Sequence, residues 1–348
     1  MASASAIAAH FAAQAEACDD LGSPFTARLC RMLPALVAGT ATGERLAGWS
    51  GDLRHDALAL RLTGGLHRLM LTGADAGLAG AYPPAEVDDA ALAAAVRAAI
   101  VAHDALLAAH LDSPPQTNEV ARSGMLLPGF LEIARQFNLP LALNEIGASA
   151  GLNLFFDRFR YAYGDAVWGD IGSPVHLAPA VRGAAPDLSG ALSVASRDGC
   201  DVSPVDSSAE DGRLRLTSYV WPDQPARLAR LGGAIEIAAG HDGPLVREDA
   251  DAFVARRLAA RLPGQAFVLF HSIMWQYMPE TTRQAIEDRM QAAGLSASRN
   301  APIAWLRMEP VVAGDAFATL TLTSWPGGET RRLARCDYHG RWIEMLPA

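Results

Sequence analysis

At 348 residues, half of them hydrophobic, the chain is long enough for more than one core, so a large domain with a smaller one is the expectation. With 29 basic and 38 acidic residues the net charge is −9 and no run of Lys or Arg occurs, which argues against nucleic acid, whose phosphates need clustered cations. Cys18, Cys30, Cys200 and Cys336 lack the close spacing of a metal site, and no stretch reaches the ~18 apolar residues needed to span a bilayer; we expect no metal, no membrane partner and a soluble, cytoplasmic protein.

Residues 1–137 are Ala- and Leu-rich with helical spacing, and Gly39, Gly73, Tyr82-Pro83-Pro84 and Ser113-Pro114-Pro115 break them into pieces. This predicts an N-terminal helical cap domain. Ser23-Pro24 suits an N-cap and first turn, and Asp88-Asp89 puts carboxylates at the positive end of a helix running to about 111. From 138 to 348 short apolar runs alternate with helical stretches, the pattern of a mostly parallel α/β sheet covered on both faces. The predicted strands are 139–146, 191–197, 243–247, 266–271 and 302–308; the predicted helices are 151–158, 224–239, 249–261 and 280–293. Residues 160–190, rich in Gly, Pro and Asp, read as an insertion. After Glu309, the segments Phe317–Ser324, Glu329–Arg335 and Arg341–Met345 are divided by Pro326-Gly327-Gly328 and His339-Gly340, which predicts an antiparallel edge.

The turn after the first predicted strand fits two chemistries. Gly147-Ala148-Ser149-Ala150-Gly151 matches the Gly-x-Ser-x-Gly elbow of an α/β-hydrolase, and Glu309 and His339 follow in the serine, acid, histidine order of that fold. That fold normally sets several strands before its elbow, whereas only helices are predicted here. Glu145-x-Gly147-x-Ser149-x-Gly151 also reads as a glycine-rich nucleotide turn, in which bare backbone approaches a ligand and a following helix offers free N–H groups. Acids recur at later strand ends, at Asp201 and Asp249, and the fourth strand ends in His271-Ser272-Ile273-Met274-Trp275-Gln276-Tyr277. In an open parallel sheet the ligand crevice lies outside the carboxyl ends of the strands, so these residues can converge on one ligand. Each acid alone also suits a simpler role, as Asp249 does by heading a helix.

These stretches resemble the blocks of class I S-adenosylmethionine-dependent methyltransferases, in order from about 139 to 309. The whole chain also resembles a bacterial family known as a domain of unknown function, through Asn144–Asn153, Tyr219–Gln224 and Trp325–Gly328. The methyltransferase resemblance implies a Rossmann-like fold and S-adenosylmethionine as cofactor. Glu145, Gly147, Ser149, Gly151 and Asn153 would then surround its methionine part, Asp201 would accept the ribose hydroxyls, and Asp249 with Ala250 would meet the adenine edge. His271 and Ser272 would end the fourth strand facing the transferred methyl. The interval from Glu145 to Asp201 exceeds the ~20 residues usual between glycine turn and ribose acid, and Asp165, at that usual distance, is a rival.

Methyl transfer is a direct displacement, so the protein supplies positioning and, for a weak acceptor, a base. His271 is the first choice of base and Tyr277 the second, since imidazole titrates near neutrality. Trp275 and Gln276 are candidate acceptor contacts, as are Asn118, Glu119 and Arg122 in the polar segment before the first strand; a capped helix start explains the latter three as well. The expected function is a methyltransferase of a small-molecule substrate. A serine hydrolase using Ser149, Glu309 and His339, and a non-catalytic cofactor-binding regulatory protein, are the alternatives.

Overall fold

Capping side chains begin several helices of the N-terminal region. The computed structural model describes residues 3–241, 245–312 and 314–347 and divides them into two units, the first comprising residues up to Thr117 together with Ala209–Ala229. Its N-terminal helices are α1 (Ala4–Asp20), α2 (Pro24–Leu36), α3 (Ala41–Ala47), α4 (Leu58–Leu71), α5 (Ala76–Ala79), α6 (Asp89–Ala102) and α7 (Asp104–His110). Ser3 caps α1 by accepting the Ala6 N–H at 3.1 Å, and Asp88 caps α6 by accepting that of Ala91 at 2.8 Å. Ser23 makes no capping bond of its own. Its hydroxyl donates to the Asp223 carboxylate, which also accepts the Phe25 N–H at 2.9 Å. The predicted helix to residue 111 breaks at His103, the boundary between α6 and α7. Phe11, Leu33, Leu66, Ile100 and Leu107 form the centre of this unit's core. No single helix among the described residues is long and apolar enough to cross a membrane; α6 and α7 reach that composition only together, across an 88° bend.

The second unit comprises Asn118–Ser208 and the residues from Arg230 onward. It opens with a 3-10 turn at Val120–Arg122, α8 (Ser123–Phe137) and the strand β1 (Leu141–Ile146), all six of whose residues are buried. There follow β2 (Arg160–Tyr163), β3 (Ala166–Trp168), β4 (His176–Leu177), β5 (Ala180–Arg182) and β6 (Val194–Asp201). The chain revisits the first unit for α9 (Glu210–Ser218) and the start of α10 (Pro225–Ala239). It continues with β7 (Leu245–Arg247), α11 (Ala250–Ala259), β8 (Ala266–Ser272), α12 (Glu280–Gly294), β9 (Ile303–Glu309), β10 (Ala318–Trp325), β11 (Glu329–Cys336) and β12 (Trp342–Met345).

The fold is mixed α/β, built on a nine-stranded sheet in the order β5-β12-β11-β10-β9-β8-β1-β6-β7. β7, β6, β1, β8 and β9 run parallel; β10, β11 and β12 continue antiparallel, and β5 pairs parallel with β12. One face packs Ile146, Phe267, Leu269 and Trp305 against Phe253 and Val254 of α11 and Ile286 and Met290 of α12. The other receives α8, whose Phe130 meets Phe270 edge-on at 5.1 Å and stacks on Phe156 at 3.9 Å. Gly129 allows this approach, because a Cβ there would lie 2.4 Å from Leu306 Cδ1.

Several expectations change. Residues 118–137 group with the sheet and 209–229 with the helices, so the division departs from a single cut at 137. β6 lies three residues beyond the start expected from its apolar run and includes Arg197 and Asp198. Those charges are accommodated because Arg197 binds Asp157 at 2.6 Å and Asp198 binds Arg257 at 2.5 Å. The stretch expected as helix 151–158 is a 3-10 segment, Leu152–Arg158, interrupted at Phe155. The 160–190 insertion forms a second sheet, β3-β2-β4, and supplies β5 to the large one. Of the predicted strand 243–247, residues 243 and 244 lie outside the described residues.

Candidate active site

The order of the parallel strands reverses beside β1: the chain moves from β1 outward through β6 to β7, then returns to β8 on the opposite side. A crevice at the carboxyl ends of β1 and β8 is where such sheets place ligands. The turn leaving β1 holds Gly147 at φ +64°, Ser149 at +56° and Gly151 at +70°. For Ser149 this left-handed conformation costs about 1–2 kcal/mol, so the turn needs fixed partners. It has them: the Ser149 N–H donates to Asp201 Oδ2 at 2.9 Å, and the Val205 N–H donates to the Ser149 carbonyl at 3.0 Å. Asp201 Oδ1 accepts the Ser203 N–H at 2.8 Å, so the predicted ribose ligand also builds the loop; each oxygen retains a second acceptor direction.

Glu145, the penultimate residue of β1, is buried, and its Oε2 has no hydrogen-bond partner among the described residues. Burial first, and the Asp201 charge second, push its carboxyl well above the ordinary glutamate range, while Arg122 acts in the opposite sense. Arg122 donates to the carbonyls of Tyr338, at 3.0 Å, and Ser272, at 3.3 Å, which ties the start of α8 to the end of β8. Asn118 Oδ1 accepts the Leu152 N–H at 2.8 Å, the Ser123 hydroxyl donates to Asn153 Oδ1 at 2.7 Å, and the Glu119 carboxylate accepts the Ala121 N–H at 3.2 Å. Asn118 and Asn153 thus tie down the segment that follows the glycine turn, while the Glu119 carboxylate caps the Val120–Arg122 turn.

At the end of β8, His271 has no exposed surface, and its Nδ1 lies 2.8 Å from Glu309 Oε1. Its register partner on β9 is Arg307, so Glu309, two residues further on, projects from the same face. The same oxygen accepts the N–H groups of Met274 at 3.1 Å and Trp275 at 3.3 Å. The Trp275 ring stacks on the imidazole with centroids 4.9 Å apart, and Ile273 between them is held at φ +51°. Met274 in turn lies over the glycine turn: a Cβ on Gly147 would come within 2.7 Å of Met274 Cε. Loops after β1 and β8 therefore meet, which brings Glu145, the turn and the His271–Glu309 pair to one end of the sheet.

The family model described as "Uncharacterized protein conserved in bacteria (DUF2332)" matches residues 8–345. The chain belongs to that family. No curated protein and no solved structure matches it. In this DUF2332 protein the remaining predicted residues are less gathered. Asp249 is exposed and caps α11 through the Asp251 N–H at 2.9 Å, with Ala250 buried behind it. Asp165 sits on the exposed turn between β2 and β3, in the small sheet, so the rival for the ribose is not at a strand end of the large sheet. Gln276 is exposed, and Tyr277 is 65% exposed. Ser149 Oγ is buried with no hydrogen-bond partner among the described residues, so no hydrogen bond joins it to His339, and Glu309 Oε1 is taken by His271. Two contributors escaped the sequence reading: Glu309 as the partner of His271, and Met274. The first was discoverable in principle, because the imidazole ends one predicted strand and the acid directly follows another.

Proposed function

We propose that this chain is an S-adenosylmethionine-dependent methyltransferase of Rossmann-like type acting on a small-molecule acceptor. The observation that carries the reading is the coincidence, at the end of β1, of a turn with three left-handed residues and a buried carboxylate with an oxygen unpartnered among the described residues. A buried acid in that state wants a cationic or hydrogen-donating partner. The cofactor fits that requirement, since its methionine end carries an ammonium and a sulfonium. When bound, it supplies a methyl group on that sulfonium.

Glu145 would take the cationic end, with Gly147, Ser149, Gly151 and Asn153 forming the loop around it. Asp201 would accept ribose hydroxyls on its remaining lone pairs, and Asp249 with Ala250 would meet the adenine edge, a role Asp249 would share with capping α11. His271 is the base for the acceptor, and Trp275 stands beside it. The net charge of −9 favours a small acceptor over nucleic acid.

Binding of S-adenosylmethionine or S-adenosylhomocysteine is the test. A ligand present at a hundredfold its Kd should stabilise the fold by about 2.7 kcal/mol, visible as a raised melting temperature and as heat in calorimetry. Absence of both signals for both compounds at millimolar concentration removes the reading.

A further inference from the structure

We propose that Glu309 is the positioning residue that sets His271 as a base, and that the acceptor accordingly reaches this site as a hydroxyl or ring N–H still carrying its proton. The methyl donor in this proposal rests on the methyltransferase reading; the pair itself stands on its own geometry.

Glu309 Oε1 accepts two backbone N–H groups, from Met274 and Trp275, in addition to its contact with His271 Nδ1. An oxygen so used is an acceptor, so Nδ1 carries the shared ring proton, and in the neutral imidazole the lone pair is then on Nε2. His271 Nε2 and Glu309 Oε2 are both buried without hydrogen-bond partners among the described residues. A pair kept only for structure would satisfy those atoms or replace them with apolar groups, because each orphan carries a desolvation cost. Two tryptophans pack on the imidazole, Trp305, which is buried, and Trp275. Trp275 covers the imidazole yet is itself only half-buried, and the turn that carries it continues into exposed Gln276 and Tyr277. That turn is rooted at Ile273, a β-branched residue in the left-handed region, and is pinned at two N–H groups by the same Glu309 oxygen.

With the Trp275 cover displaced, the acceptor's proton passes to His271 Nε2. The cofactor, when held at the β1 turn, would supply the methyl carbon that takes this freed electron pair, its sulfur keeping the pair of the broken carbon–sulfur bond. His271, then protonated on both nitrogens, is held by the Glu309 carboxylate until the proton leaves to water.

Neither measurement that tests this needs a cofactor, so its failure is separable from failure to bind S-adenosylmethionine. In the full-length chain with 15N-labelled histidine, assigned with H271N, the expected His271 signal is a protonated Nδ1 and a bare Nε2. A proton on Nε2 overturns the proposal. Diethyl pyrocarbonate, which acylates bare imidazole nitrogens, should modify His271 about tenfold faster in W275A than in the wild type, as expected where a half-exposed cover gates access. Adding E309Q to W275A keeps an acceptor for the backbone but offers an amide that can donate to Nδ1, so the ring tautomer is no longer fixed; the rate should then fall several-fold, and E309D should restore it. Equal His271 modification in W275A with and without E309Q leaves Glu309 a structural role only and overturns the positioning claim.

Discussion

Glu145 carries the sharpest consequence at the scale of a single residue. Its folded-state pKa lies above the ordinary value, so the folded protein favours the protonated acid; the stability this contributes is complete below about pH 4.3 and is lost as pH rises through the folded value. Glu145→Gln never suffers that loss. The stability of E145Q relative to wild type should therefore grow from pH ~4 towards neutrality, as read by urea unfolding at several pH values. A constant difference would show that Glu145 has a partner in solution. Its place was legible, since an acid two residues before a glycine turn is a sequence pattern; its isolation was not, because that depends on Asp201 and Arg122 arriving from distant segments. Asp249 shows the converse. The residue type suited both a ligand and a helix cap, and only the structure shows it exposed and capping.

At the scale of elements, β6 shows why a strand that carries charged residues is hard to read. Its partner β1 is fully buried, yet Asp198 and its neighbour Arg197 lie in β6 because specific partners meet them. Arg257 of α11 is the key partner: its Nε donates to Asn144 Oδ1 on β1 at 2.7 Å, and its Nη2 lies 2.5 Å from Asp198 on β6. One guanidinium fork thus stitches a helix to two adjacent strands. Arg257→Met keeps much of the apolar stem but leaves a buried amide oxygen and a mostly buried carboxylate unmatched, which should lower stability by about 2–3 kcal/mol in denaturant unfolding. Arg257→Lys should recover only part of this, because a single ammonium cannot reach both acceptors with the geometry of the fork. Equal stability of R257M and wild type would mean that solvent already satisfies these groups.

At the scale of the molecule, His67 and His110 of the helical unit and Glu145 of the sheet unit should respond to mild acid with opposite signs. In the helical unit, burial lowers His67 to about 4, and burial together with Arg68 and Arg215 lowers His110 to about 4. Both imidazoles are neutral when folded, so their contribution is present above the unfolded value of ~6.5 and is lost as pH falls through the folded one. Helical signal of wild type in moderate urea should fall between pH ~6.5 and about 4, and a His67→Gln, His110→Gln double variant should flatten that fall. Glu145 in the sheet unit gains over the same descent, so an acid transition confined to the sheet would contradict this assignment.

By itself the sequence determined what is periodic or local: an N-terminal run of helices, parallel strands alternating with helices, an antiparallel finish, and a glycine turn after β1. Each follows from side-chain spacing or from a backbone need within a few residues. Tertiary structure decided whatever joins residues far apart in the chain. It placed Ala209–Ala229 with the helices and residues 118–137 with the sheet, and it supplied Asp223 to cap α2. It also set His271 against Glu309, because the register of β8 on β9 puts both on one face at one strand end. No local pattern encodes such a register, since it is fixed by packing of the two sheet faces against their helices.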